Sequence, residues 1–354
     1  MGGGCVKTEQ KHEPEATRET MKATRYAGVT LLVGFACMAL AHAQTAAPSG
    51  TLLISLSGEH KVALVDPASG EARAFFPAGK GPHEITLTRD AATAFVAIPG
   101  TGPQGEPGNT ITVIDLKSRS VKATFTLAGC GQPHDTRVSR DGSVLWVACA
   151  PAQAVLELDA RTGELRRTLK TARDGGWFVE ATPDSRKLYV PHLEGKALTV
   201  IEVASGEARA VFSGSTQFGV AIAPDGREAW ASDADEGKLT IVDTATDEVR
   251  GSVSLGPKDE GRPSFSRLRF TPDGKHVAVV LGTQFMLIDA KRRAIVWTLE
   301  MPHAGKVVTV SPDSRFAAIS HPSNDSVSVI DLAARNVRST FFVGKTPDGV
   351  AWVP

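Results

Sequence analysis

Seven histidines follow residue 43 of the chain, and their neighbours make them candidates for chemistry. His83, His134 and His303 stand in the strings GPHE, QPHD and MPHA. His192 and His321 stand in YVPHL and ISHPS, His60 precedes KVALVD, and His276 follows an Asp-Gly turn. Acids accompany them at Glu84, Asp135, Asp233 and Asp348, and Trp177, Gln217 and Arg267 fall at related places. Imidazoles gathered beside carboxylates bind a transition metal, or act as acid and base near neutral pH. The bland alternative is that turns collect His and Pro, and that these rings bond to backbone.

What would gather them is a repeat. Short alternating strands end on an acid at Asp66, Asp115, Asp159, Glu202, Asp243, Asp289 and Asp331. The intervals, about 41 to 49 residues, are those of propeller blades. Each acid has a local task as well, because a short carboxylate at a strand end accepts backbone N–H groups of its turn. Glu202, one methylene longer, should do so less well. A second set of turns closes the first strand of each unit: Arg89-Asp90, Asp141-Gly142, Asp184-Ser185, Asp225-Gly226, Asp273-Gly274 and Asp313-Ser314. The last unit stops at Pro354, before its own such turn. The missing strands stand at the start, in LLISL and KVALVD, so residues 349–353 should complete the blade begun by residues 52–77. The expected fold is all-β: a seven-bladed β-propeller of four-stranded blades, residues 51–354, with one blade shared between the two ends of the chain.

In such blades the strands alternate in direction, so the loop entering the first strand and the loop after the second share a face. By this rule six of the seven histidines lie on one rim and His276 on the other. The candidate ligand-binding face comprises His83, His134, Trp177, His192, Gln217, Arg267, His303, His321 and Asp348, overhung by a long turn at residues 98–109. His83 and His134 occupy equivalent places in neighbouring blades and should point together to the channel mouth. With His303 they form the candidate set for copper or zinc. Strict alternation would turn Glu84 and Asp135 away from the channel, where they would orient ring nitrogens from behind.

Residues 1–20 show no placeable element and read as a mis-called N-terminal extension, with Met21 the true start. From Met21, Lys22 and Arg25 precede an apolar run at residues 27–40 that ends in Ala41-His42-Ala43. These are the parts of a secretory signal at residues 21–43, with Gln44 the first mature residue and residues 44–50 a linker. The run is short for a membrane span, so no span is expected once the signal is removed. The mature chain is expected to be periplasmic or secreted. Cys130 and Cys149 remain in it, on the rim that carries His134, and either bridge or persist as two partly buried thiols.

Formal charge is zero with scattered signs, which leaves no basic footprint for nucleic acid. Residues 100–105 fit G-x-G-x-x-G, yet a strand rather than a helix follows, which removes the dinucleotide reading. Covalent c-type haem is excluded because no C-x-x-C-H occurs.

The strings SVSVIDLAARNVRSTFFVGKTPDGVAW, KLTIVDTATDEVR and FTPDGKHVAVV resemble the YVTN-repeat β-propellers. GKGPHEITLTRD and CGQPHDTRVSRDGSVLWVA resemble more narrowly the YncE-like exported bacterial branch. The resemblance spans nearly all of residues 50–354 and implies the fold, whereas propellers of one shape serve many tasks. Among its relatives are surface-layer proteins, proteins near quinoprotein dehydrogenases, and a haem-carrying nitrite reductase propeller. The expectation is a monomer that binds a small molecule, a metal or a protein on the His-rich face without turnover. The alternative is a lactonase-type hydrolase or a haem- or quinone-linked oxidoreductase component. Lactonase-like propellers usually carry Pro-Arg-His at strand entries, and Pro82-His83 and Pro133-His134 lack the Arg.

Overall fold

The computed structural model describes residues 47–102, 105–256 and 266–354. The expected leader, residues 21–43, and the extension before it, residues 1–20, lie outside them. The described body consists of seven four-stranded antiparallel sheets. Each sheet's first strand contacts that of the next, and the seventh returns to the first, so the sheets close into a ring.

Blade 1 combines Thr51–Leu56, Lys61–Val65 and Ala72–Pro77 with Pro347–Val353 from the far end of the chain. Leu52 pairs with Trp352 and Ile54 with Val350, which joins the two ends through backbone hydrogen bonds. Trp352 also donates its indole N–H to the Ser49 carbonyl at 2.9 Å. Blades 2 to 7 begin with the inner strands Ile85–Leu87, Thr136–Val138, Glu180–Ala181, Gln217–Ile222, Ser266–Phe270 and Val308–Val310. Period-two alternation gives the strand Thr51–Leu56 two buried rows, one against each neighbouring sheet. The Leu52/Ile54/Leu56 row, for example, packs with Phe316, Val327, Val350 and Trp352.

The strand-ending acids hold their turns. Asp66 accepts from the N–H groups of Ala68 and Ser69, Asp159 from Arg161 and Thr162, and Asp331 from Ala333 and Ala334. Glu202 instead approaches Lys187 at 3.4 Å. The inner-strand turns demand a left-handed residue after their Asp, supplied without steric cost by Gly142, Gly226 and Gly274.

Two expectations need correction. The overhang at residues 98–109 is mostly sheet: Thr93–Gly100 and Pro107–Asp115 run on as a hairpin, paired as far as Gly100 and Pro107. The inner strands of blades 2, 3, 4 and 7 also start later than their entry residues suggest, and in blades 2, 3 and 7 the cause is visible. The His83 N–H bonds to the Ala97 carbonyl, and the Ala97 N–H bonds to the Glu84 carbonyl, so two residues oppose one. His134 and Asp135 oppose Ala148 in the same way, and Lys306 and Val307 oppose Ser320. Each is a β-bulge, which breaks alternation and re-aims a side chain.

Candidate functional site

Because of these bulges, Glu84 and Asp135 do not turn away behind the histidines. Glu84 points into the channel and meets Arg267 of blade 6, across the ring, at 2.6 Å. Asp135 accepts from Arg137 at 2.8 Å and from the Val179 N–H of the next blade at 3.3 Å. Below them Glu180 receives Arg137 of blade 3 at 2.8 Å and Arg269 of blade 6, two blades on, at 2.7 Å. Three guanidinium groups thus face three carboxylates and knit the channel shut. Burial alone would raise the Glu180 carboxyl, but Arg137 and Arg269 outweigh it and hold the group below its usual range.

Above this plug lies a pocket of about 370 Å³, lined by His83, His134, Gln132, Trp177, Phe178, Leu193, Phe218, Lys306 and the hairpin residues Pro99, Gly100 and Gly102. The His83 and His134 rings stand 4.9 Å apart, tilted by 33°. His134 meets Phe178 edge-on at 4.8 Å and Trp177 at 5.6 Å, and Phe178 meets Phe218 at 4.8 Å. The Arg267 guanidinium stacks beneath Phe178, 3.9 Å from its centre, so a paired cation braces the aromatic floor.

On the other side of the mouth, Asp348 of blade 1 is buried between two neighbours. Its Oδ2 lies 2.8 Å from His83 Nδ1, close enough for an ion pair but out of line for a hydrogen bond, and 2.5 Å from Lys306 Nζ. Burial would raise the Asp348 carboxyl, but His83 and Lys306 hold it far below the usual range. His134 is driven the other way, well below an ordinary imidazole, first by its enclosure and then by the charge of His83. It is therefore neutral at pH 7. Its Nδ1 and Asp348 Oδ1 are buried without a hydrogen-bond partner among the described residues.

The remaining histidines are not brought to this pocket. His192 is fully buried, with Nδ1 2.9 Å from the Asp174 carbonyl. His321, also fully buried, bonds the Ala304 carbonyl and the Ser328 hydroxyl at 3.1 and 2.8 Å. His303 packs against His321 at 6.1 Å, not against His83 and His134. Among the described residues no three His, Cys, Asp or Glu side chains are arranged to hold a metal ion, so the three-imidazole set does not assemble. Gln217 is buried and donates to the Ser215 carbonyl, and Arg267 lies under the pocket rather than in it. Asp233 accepts at the Ser215 hydroxyl and two backbone N–H groups, a turn-holding role.

Phe178, Phe218, Lys306, Gln132 and Leu193 are lining residues that sequence reasoning missed. A signal existed for three of them. Seven residues before the Asp of the inner-strand turns stand His83, His134, Trp177, Phe218 and Lys306, and six before stand Glu84, Asp135, Phe178 and Arg267. Those two registers are the upper tiers of the channel.

Cys130 and Cys149 form a disulfide with Cα atoms 5.7 Å apart. It ties the entry segment that carries Gln132 and His134 to the end of Val144–Cys149, and so fixes one wall of the pocket.

Burial also depresses His192 and His321 below the ordinary value, as it does His134. An unfolded chain protonates these rings from about pH 6.5 downward, while the folded one resists. Their contribution is therefore unchanged above about pH 7 and is lost as pH falls below about 6.5, by up to about 1.4 kcal/mol per pH unit for each ring. Glu84, raised by burial in spite of Arg267, acts in the opposite sense nearer its own range. Melts from pH 7 to 5 should show falling stability, with a shallower slope in His321→Gln than in His276→Gln. Equal slopes would refute this assignment.

No family model matches the chain. It is 22% identical over 294 residues to the uncharacterized protein YncE of Salmonella typhi, covering 77% of this chain and 80% of that one, and equally to YncE of Salmonella typhimurium. Solved structures of similar shape include Kuenenia stuttgartiensis hydrazine synthase, with TM-score 0.68, 20% identity, and 84% of this chain and 99% of that one covered. The periplasmic gluconolactonase of Pseudomonas aeruginosa gives TM-score 0.70 at 19% identity, covering 86% and 99%. At such identities the likeness is one of fold.

Proposed function

We propose that this is an exported propeller of the YVTN-repeat, YncE-like kind that binds a small organic molecule in the pocket at its His-rich mouth. The observation that carries the reading is the pocket itself. Its apolar wall, braced from below, stands opposite a few convergent polar groups, the usual composition of a ligand site. The closed channel gives it a floor, so a ligand is held rather than passed through. Export is supported by the leader-like segment at residues 21–43 and by the disulfide, which suits an oxidising compartment. A metal-binding reading is less well supported, because His303 faces away from the other two imidazoles.

A hydrolase is the second reading, favoured by one feature. In its neutral form His83 could take a proton from water, with the Asp348 carboxylate 2.8 Å from its Nδ1 to stabilise the resulting imidazolium and Lys306 at hand for a developing oxyanion. The periplasmic gluconolactonase of similar shape makes a cyclic ester a reasonable substrate class for that reading.

Ligand-observed NMR with a fragment library tests both. Fragments should bind the parent and His276→Gln, on the opposite rim, and lose binding at least tenfold in Leu193→Trp, which fills the pocket. A library whose hits ignore Leu193→Trp would sink the site. Product signals that appear with the parent and vanish in His83→Ala would move the conclusion to the hydrolase.

A further inference from the structure

The pocket is polarised around the ring, and the polarity specifies its ligand. Resting on the binding reading above, we infer that the site takes a compact organic anion: a flat apolar ring carrying one carboxylate or similar acid group.

The polar side belongs to blades 7, 1 and 2. Lys306, Asp348 and His83 come from three successive inner-strand entries and meet at one edge of the mouth. Asp348 lies behind that edge and is 1% exposed, whereas the Lys306 side chain is 40% exposed and the His83 side chain 20%. A visiting molecule therefore touches an ammonium and an imidazole, not the carboxylate that fixes them. Lys306 carries three donors, and the Asp348 contact uses one.

The apolar side belongs to blades 4 and 5, opposite. Trp177, Phe178 and Phe218 form a wall of three rings, with neutral His134 of blade 3 between the two sides. Among the described lining residues none is acidic. Glu194 holds the Trp177 indole N–H at 3.2 Å from outside the lining, and Glu84 is engaged with Arg267 under the floor. A cationic ligand would find no counter-charge here. A neutral one that brings no acceptor would strip water from the two Lys306 N–H groups that Asp348 does not take, which disfavours it. An anion satisfies that ammonium with a charge-assisted hydrogen bond while its ring covers the aromatic wall.

Isothermal titration with four matched probes decides the point: phenylacetate, phenylacetamide, phenethylamine and acetate. Phenylacetate should bind at least about tenfold more tightly than phenylacetamide, and phenethylamine and acetate should give no heat. Lys306→Gln should bring the first two within about twofold of each other, and Lys306→Arg should restore the preference, with thermal melts confirming that each variant is folded. Equal affinity for the acid and the amide, binding of the amine, or a preference that survives Lys306→Gln would overturn the inference. If none of the four binds while library fragments are displaced by Leu193→Trp, the charge preference fails and the binding site stands. If no fragment responds to Leu193→Trp either, both fail.

Discussion

A chain ended at Val343 is expected to lose its fold rather than its last few residues. Pro347–Val353 is the inner strand of blade 1 and pairs along Thr51–Leu56. Its removal strips cover from Leu52, Ile54 and Leu56, takes away buried Val350 and Trp352, and opens the ring at an apolar sheet edge. At about 1.5–3 kcal/mol for each large apolar side chain returned to water, the loss is at least about 5 kcal/mol, comparable to the whole stability of many domains. A neighbouring change without burial sets the scale. Phe342 is 75% exposed, and Phe342→Ser should stay within about 0.5 kcal/mol of the parent. Urea titrations would show the contrast. A truncated chain that unfolds at the parent midpoint would refute the shared blade.

The second large effect is expected inside the channel. Arg267 and Glu84 are both at least nine-tenths buried, and their 2.6 Å contact spans the ring between blades 6 and 2. Arg267→Met or Glu84→Leu should each cost about 3–5 kcal/mol, because each leaves a buried charge without its counterpart. The double variant Arg267→Met/Glu84→Leu should cost less than either single change, since well-packed apolar groups replace a buried pair at little net loss. Denaturant unfolding of all three measures the coupling. Additive losses would mean that the two side chains stabilise the fold independently, contrary to the geometry. Arg267→Ala should also weaken ligands at the pocket above, as it removes the brace under Phe178.

Blade count, blade closure and the role of the turn acids were legible in the sequence, because all three rest on local chemistry. A strand that alternates and ends at Asp66 or Asp331 is specified by a handful of adjacent residues, and the spacing of those acids counts the blades. The missing turn after Val353 and the unpaired LLISL segment announced their mutual pairing for the same reason. The nearness of His83 and His134 was also readable, since equivalent positions in adjacent blades are separated by the ring and not by a flexible loop.

Side-chain direction at the channel was not legible, and only the tertiary structure decided it. Period-two alternation assigned Glu84 and Asp135 to the back of the strand, but the bulges opposite Ala97 and Ala148 put two consecutive residues on the channel side. A bulge is a choice of backbone pairing with no residue type of its own at these sites. The partners across the ring were equally hidden. Glu84 and Arg267 stand 183 residues apart, and nothing local distinguishes that pairing from the alternatives with Arg137 or Arg269. His303 shows the limit from the other side. Its place in MPHA matches those of His83 and His134, yet it packs against His321 because blade 7 sends Lys306, not His303, to the mouth. The sequence determined how many blades there are and which rim each loop joins, because strands and turns are fixed by neighbours. Which side chains meet at the centre depends on contacts between blades distant in the chain, and those exist only once the ring has closed.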